Sequence, residues 1–235
     1  MPRVPTWMKK VPDTLQSKRI TQHLIWSFNW LALMDSHGAG LIDYFGSMGL
    51  STIAIHGGKI SHASSLVSQL SFFDGELDFL LLFLGGNDLA DFKTSVTDIA
   101  HELGKFLTEF ASRSPHTTIV TGSAIPRVPD KRRMEESADH FIGRVGDLDK
   151  QTFQVSPLHH HFCSDLLIGN RWTYGTVPRL DLYGGDLTHL NDEGRQALFV
   201  LFDFVFESVN FGRYDTRREF SVAGNYDFRT LFWAF

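Results

Sequence analysis

The chain has 235 residues, 43% of them hydrophobic and 21% charged, which is enough for one sizeable core of ordinary globular make-up. A formal charge of −5 excludes a field that would draw the whole molecule to phosphate, so nucleic-acid binding across the entire surface is not expected. The single Cys163 excludes an intrachain disulfide, the first thirty residues lack the pattern of a secretory signal, and no apolar run reaches the roughly 18 residues of a membrane span. The expectation is a soluble, intracellular, cytoplasmic protein built as one domain.

In chain order, residues 1–23 come first as a basic segment. Arg3, Lys9, Lys10, Lys18 and Arg19 stand against Asp13, and Pro2, Pro5 and Pro12 oppose a helix. We expect a mobile arm here, the one place where contact with nucleic acid or a partner has any basis. Apolar runs then appear at Leu24 to Met34, Thr52 to Ile55, Phe79 to Leu84 and Thr118 to Thr121, bounded by Gly and Asp as buried parallel strands are. Between them, Ala39 to Met48, Ser61 to Leu70 and Thr97 to Ser112 have helical spacing, the third with Ile99, Leu103, Phe106, Leu107 and Phe110 on one stripe.

This alternation predicts an α/β fold: a parallel sheet covered on both faces, with functional residues gathered in loops at the carboxyl ends of strands. Past Pro126 the pattern weakens. Lys131 to Leu148 reads as a helix, Phe153 to Val155 as a short strand, and Pro157 to Gly184 as irregular. A last helix is expected from Asn191 to about Ser208, with Ala197, Leu198, Leu201, Phe202 and Val205 inward. The tail, residues 210–235, is rich in Phe, Tyr, Trp and Arg and is expected to pack on the domain or on a partner.

Three separated segments carry chemistry. The run Leu31-Ala32-Leu33-Met34 ends abruptly in Asp35-Ser36-His37-Gly38, which puts a hydroxyl at the tip of a strand. The second segment is Gly85-Gly86-Asn87-Asp88 and the third is Asp186-Leu187-Thr188-His189-Leu190-Asn191. A serine hydroxyl needs a base, the base needs an orienting carboxylate, and the oxyanion that forms needs preorganised donors. Ser36, His189 and Asp186 supply the first three, and Asp186 and His189 are spaced to lie on one face of a turn. The Ser36 amide, a glycine amide and the Asn87 side chain supply the donors.

These blocks resemble those of the SGNH hydrolases, the GDSL-type esterases and lipases, in which short blocks carry a Ser, a Gly, an Asn and a His in that order. Met34-Asp35-Ser36-His37-Gly38 is similar to the first block, Ile55-His56-Gly57-Gly58 to the second and Gly85-Gly86-Asn87-Asp88 to the third. Asp186 to Gly194 is similar to the last. The resemblance covers residues 24–209. It implies a three-layer α/β/α, flavodoxin-like fold and hydrolysis of an acyl or acetyl ester through an acyl-enzyme, on a small-molecule, lipid or sugar substrate, with no metal or organic cofactor. Ser36, Asp186 and His189 would be catalytic, and Ser36, Asn87 and either Gly57 or Gly58 would form the oxyanion hole. Met34 stands where that family usually has Gly, which bears on the tightness of the turn before Ser36.

The competing reading is a noncatalytic binding or scaffold module on the same fold, with a fainter similarity to esterase segments of animal retroelement proteins. His159, His160 and His161 with Cys163 lack the spacing of a closed zinc site. Gly38, Gly40 and Gly46 miss the dinucleotide fingerprint. Lys131-Arg132-Arg133 reads as a solvated loop or helix start. His37, His56 and His62 lie near the proposed cleft and read as satisfied polar side chains, Asp88 as a residue that holds a loop, and Asp35 as a support to Ser36.

Overall fold

The computed structural model describes residues 18–23, 30–69, 77–122, 124–126, 138–154, 160–163, 173–174 and 177–210. The basic arm before Lys18, the Lys131 to Arg133 run, His159 and the aromatic tail lie outside the described residues.

A six-stranded sheet organises the chain, in the order β1-β3-β2-β4-β5-β6. Its strands are β1 (Ile20–His23), β2 (Trp30–Met34), β3 (Ser51–Ile55), β4 (Phe79–Phe83), β5 (Thr118–Gly122) and β6 (His160–Cys163). Strands β2 to β6 run parallel, and β1 adds antiparallel to β3 with Ile20 opposite Ile55. Numbered among themselves, the five parallel strands follow the order 2-1-3-4-5 of the flavodoxin-like doubly wound sheet, which reverses direction between β2 and β4.

Alternation along each strand divides the core in two. Leu31, Leu33, Ile53, Ile55, Leu80 and Leu82 face a layer formed by α3 (Ile60–Gln69), α5 (Val96–Arg113) and α6 (Ala138–Gln154). Ala32, Met34, Leu81, Phe83 and Val120 face α2 (Ile42–Ser47) and α7 (Asp192–Asn210). The stripe expected on α5 is buried in full, Ile99, Leu103, Phe106, Leu107 and Phe110 being at most 7% exposed. The inner face of α7 carries Leu198, Leu201, Phe202 and Phe206, with Ala197 half-buried at its margin.

Several expectations shift. The sheet reaches back into the segment expected to be an arm, because Ile20–His23 covers the edge of β3. The helix expected over Ala39 to Met48 is two: α1 (Ser36–Ala39) closes on Gly40, and α2 starts after Leu41. Gly38 and Gly40 are poor helix formers, and the chain must turn there to lay Phe45 into the core. Of the strand expected over Phe153 to Val155, Phe153 and Gln154 instead end α6, whose stripe Phe141, Val145, Leu148, Thr152 is helical in period, and Val155 lies outside the described residues. The edge strand lies instead at His160–Cys163, inside the stretch expected to be irregular. That stretch also holds β7 (Thr173–Tyr174) and β8 (Val177–Pro178), which pair antiparallel.

Helix α7 is fastened to the chain before it at close quarters. Asn191 Oδ1 accepts the Gly194 amide at 2.9 Å, Asn191 Nδ2 donates to the Asp181 carbonyl at 2.6 Å, and Arg195 donates to the Leu190 carbonyl at 2.9 Å. A Cβ on Gly194 would collide with the Leu182 carbonyl oxygen and come within 3.0 Å of Leu190 Cβ. Since Leu182 O also accepts from Asn191 N at 3.0 Å, it has little room to yield. Gly194→Ala is therefore expected to lower the unfolding free energy by about 1–3 kcal/mol, measured by urea denaturation. An unchanged midpoint would show that the helix start relaxes freely.

Candidate functional site

Strand β2 delivers Ser36. The parallel run ends at Met34, Asp35 N donates to the Phe83 carbonyl at 3.2 Å, and Asp35 then caps α1 by accepting the His37 amide at 3.0 Å. Ser36 follows the cap and is half-buried. Met34 does not loosen this turn: it is fully buried in the α2/α7 layer, and its side chain lies over Gly38, where a Cβ would approach Met34 Cβ to 2.6 Å. Bulk before the turn is matched by its lack one helical turn later.

The last loop delivers the imidazole. Tyr183 and Leu190 form a bridge, Gly184 N donates to the His189 carbonyl at 2.8 Å, and the six residues between bulge to the sheet edge. One carboxylate organises the bulge: Asp186 Oδ1 accepts the Thr188 amide at 3.0 Å and the His189 amide at 2.9 Å, while Oδ2 meets His189 Nδ1 at 2.5 Å. Leu187 takes φ 55° so that the chain can fold back over its own carboxylate. His189 Nε2 lies 2.9 Å from Ser36 Oγ, 153 residues away in sequence.

Electrostatics favour the charged carboxylate. Burial works against ionisation of Asp186, but the bonds from the His189 ring and from the His189 and Thr188 amides outweigh it, and its carboxyl sits at about 2. With Asp186 an acceptor, His189 Nδ1 carries the ring proton and Nε2 presents its lone pair to the Ser36 hydroxyl.

The glycine and asparagine blocks close the rim. At the end of β3, Gly58 N donates to the Ile55 carbonyl at 2.8 Å, so that amide is committed to the turn. Gly57 has φ 64°, and its carbonyl accepts from Lys18 Nζ at 3.2 Å. After β4, Gly85 takes φ 110° and starts α4 (Gly86–Leu89), a conformation that favours glycine. The helix presents Asn87, whose Nδ2 donates to the Gly58 carbonyl at 2.9 Å and so pins the second block to the third. Ser36 and Asn87 thus leave adjacent strands on either side of the point where the sheet order reverses.

The supporting residues fall as expected. Asp88 accepts the Ile60 amide at the start of α3 at 3.3 Å, and burial pushes its carboxyl up to about 7. His56 bonds Thr21 Oγ1 at 2.9 Å; burial first, then Arg19 and His189, lower its pKa. His62 accepts the Lys59 amide at 2.9 Å, and its pKa is lowered by burial and by Lys18 and Lys59. Three contacts had no sequence signal: Lys18 on Gly57, His37 on Asp35 at 2.8 Å, and His37 on the Thr188 carbonyl at 3.2 Å. Among the described residues no group of three or more His, Cys, Asp or Glu is placed to hold a metal ion.

No protein-family model matches the sequence, and no curated protein does. Solved structures do. A Streptococcus pneumonia structure named after platelet activating factor superposes with a TM-score of 0.61 at 19% identity, over 76% of this chain and 83% of its own. A lipase/acylhydrolase from Enterococcus faecalis gives 0.57 at 18%, over 81% of this chain and 100% of its own. A GDSL-like lipase from Bacteroides thetaiotaomicron gives 0.54 at 15%, over 80% and 92%. Sheet order, the placing of the four blocks and these neighbours together identify the fold as that of the SGNH, or GDSL-type, hydrolases.

Proposed function

We propose that the protein is a serine esterase that hydrolyses an acyl ester through a covalent acyl-enzyme. The observation that carries this reading is the unbroken series Ser36 Oγ, His189 Nε2, His189 Nδ1, Asp186 Oδ2, with gaps of 2.9 Å and 2.5 Å at the two hydrogen bonds. The neighbours' description as GDSL-like lipases and acylhydrolases supports it at the level of ester hydrolysis.

In this reading Ser36 Oγ attacks the ester carbonyl carbon as His189 Nε2 takes the hydroxyl proton. The carbonyl oxygen becomes an oxyanion, received by the Ser36 amide, the Asn87 side chain and one glycine amide. Of the two glycines, Gly57 is the one assigned, since the Gly58 amide is spent on Ile55. The bond from Asn87 Nδ2 to the Gly58 carbonyl keeps this amide on the rim where the oxyanion forms. Collapse breaks the bond to the alcohol, which leaves with the proton from His189. Water then gives a proton to His189 and attacks the acyl carbon, and Ser36 recovers its proton as the acid departs. Because the His189 and Asp186 side chains are 48% and 55% exposed, the substrate approaches from the open surface rather than through a channel.

Ser36→Ala is expected to reduce turnover of a short activated ester on the order of 10⁴-fold or more. Equal rates for variant and wild type would remove Ser36 as nucleophile. Asp186→Asn should also lower kcat on the order of 10²-fold or more, because the carboxylate held at about 2 is the charged group that fixes the His189 ring. Full kcat in a folded Asp186→Asn variant would take the orienting role from Asp186. Asn87→Ala should cost roughly 10²-fold in kcat through the lost oxyanion donor. If kcat holds in a folded variant, Asn87 lies outside the hole.

A further inference from the structure

Beside the proposed triad lies a second, buried histidine that the esterase mechanism does not use. His37 is 6% exposed and Asp35 3%. The His37 ring sits 5.6 Å from the His189 ring, centroid to centroid, tilted by 45°. Its Nδ1 meets Asp35 Oδ1 at 2.8 Å, and its Nε2 meets the Thr188 carbonyl at 3.2 Å.

Both partners are acceptors. Asp35 Oδ1 already accepts the His37 amide at 3.0 Å, and a peptide carbonyl has no hydrogen to give. The ring thus bridges the two, with Nδ1 on the Asp35 carboxyl group and Nε2 on the Thr188 carbonyl. Among the described residues, the charged or titratable neighbours are His189 with Asp186 from the loop and, at the end of β3, His56, which feels both Asp35 and His189. Phe83, Leu84, Ala124 and Ile125 share a small cavity with His37 and Asp35.

The two ends of this clasp matter. Asp35 is the cap that sets the turn carrying Ser36, and Thr188 is the residue before His189, its own amide held by Asp186. The loop carrying His189 is otherwise an exposed bulge with a left-handed Leu187. We infer that His37 is a positioning residue: by holding the Thr188 carbonyl to Asp35 it fixes the distance between the two halves of the triad and seats the His189 ring against Ser36.

This inference rests on the esterase reading, and the test separates the two. Asparagine can place an N–H where His37 has Nδ1, and glutamine where it has Nε2. His37→Gln thus keeps the bond to Thr188, His37→Asn keeps only the bond to Asp35, and His37→Ala keeps neither. Rates are measured on the intact chain per site counted with a covalent serine probe, so that unfolded molecules do not enter. We expect kcat within about threefold of wild type for Gln. For Asn and Ala, we expect a fall on the order of tenfold to 10²-fold with KM nearly unchanged, as misplacement of a reacting group produces.

The His189 ring ¹H–¹³C signals provide a readout independent of turnover: they should stay in place for Gln and move for Asn and Ala. Gln and Asn behaving alike in both measurements, or full kcat per labelled site in all three, would overturn the clasp. If wild type neither hydrolyses esters nor takes the probe, the esterase reading fails by itself and the ring signals alone decide whether His37 positions His189.

Discussion

Level pairing of parallel strands is the constraint on which the rest depends. Met34 stands opposite Ala54 on one side and Phe83 on the other, so β2, β3 and β4 end at one height. The residues that follow, Ser36, Gly57 and Asn87, emerge on a common rim although 51 positions separate the first from the last. A slip of one residue in any strand would turn its apolar set from one helical layer to the other. The burial that holds the register, with Leu33, Ile53 and Met34 at 0% exposure, is thus also what aims the loops.

The rim is completed from outside the sheet. The Asp186 loop comes from a bulge between a three-residue 3₁₀ turn and α7, and its shape is set by local bonds rather than by a strand. Such a loop can be correct internally and still lie in the wrong place. Its placement depends on the fastening of α7 through Asn191, Gly194 and Arg195 and on the contact of His37 with Thr188. Asp186 has a double part here, since the oxygens that shape the backbone and orient the ring belong to one group.

Much of this was legible where local pattern and long-range packing agree. The stripe on α5, the runs of β2 to β5 and the Asp-x-x-His spacing each follow from one period or one offset, and the Ser36 and His189 blocks meet at 2.9 Å. What could not be read depends on partners distant in sequence. Strand β6 is spelled His-His-Phe-Cys and becomes a strand because the edge of β5 needs covering. Strand β1, Ile-Thr-Gln-His, has an ordinary polar alternation that only its place beside β3 makes structural. His37 looked like any polar residue after a strand, and its second contact lies 151 residues away. The Gly58 to Ile55 bond, which tells the two glycines of the second block apart, is encoded by no composition.

The nesting of Met34 over Gly38 reaches beyond packing. Two positions that share one volume are not free to vary alone: a side chain at 38 meets first the Cβ at 34, so it demands glycine there, and glycine at 34 leaves a hole unless 38 grows. Inheritance along this lineage should therefore treat the two as a single character, and any homologue with glycine at the first position is released from needing it at the second.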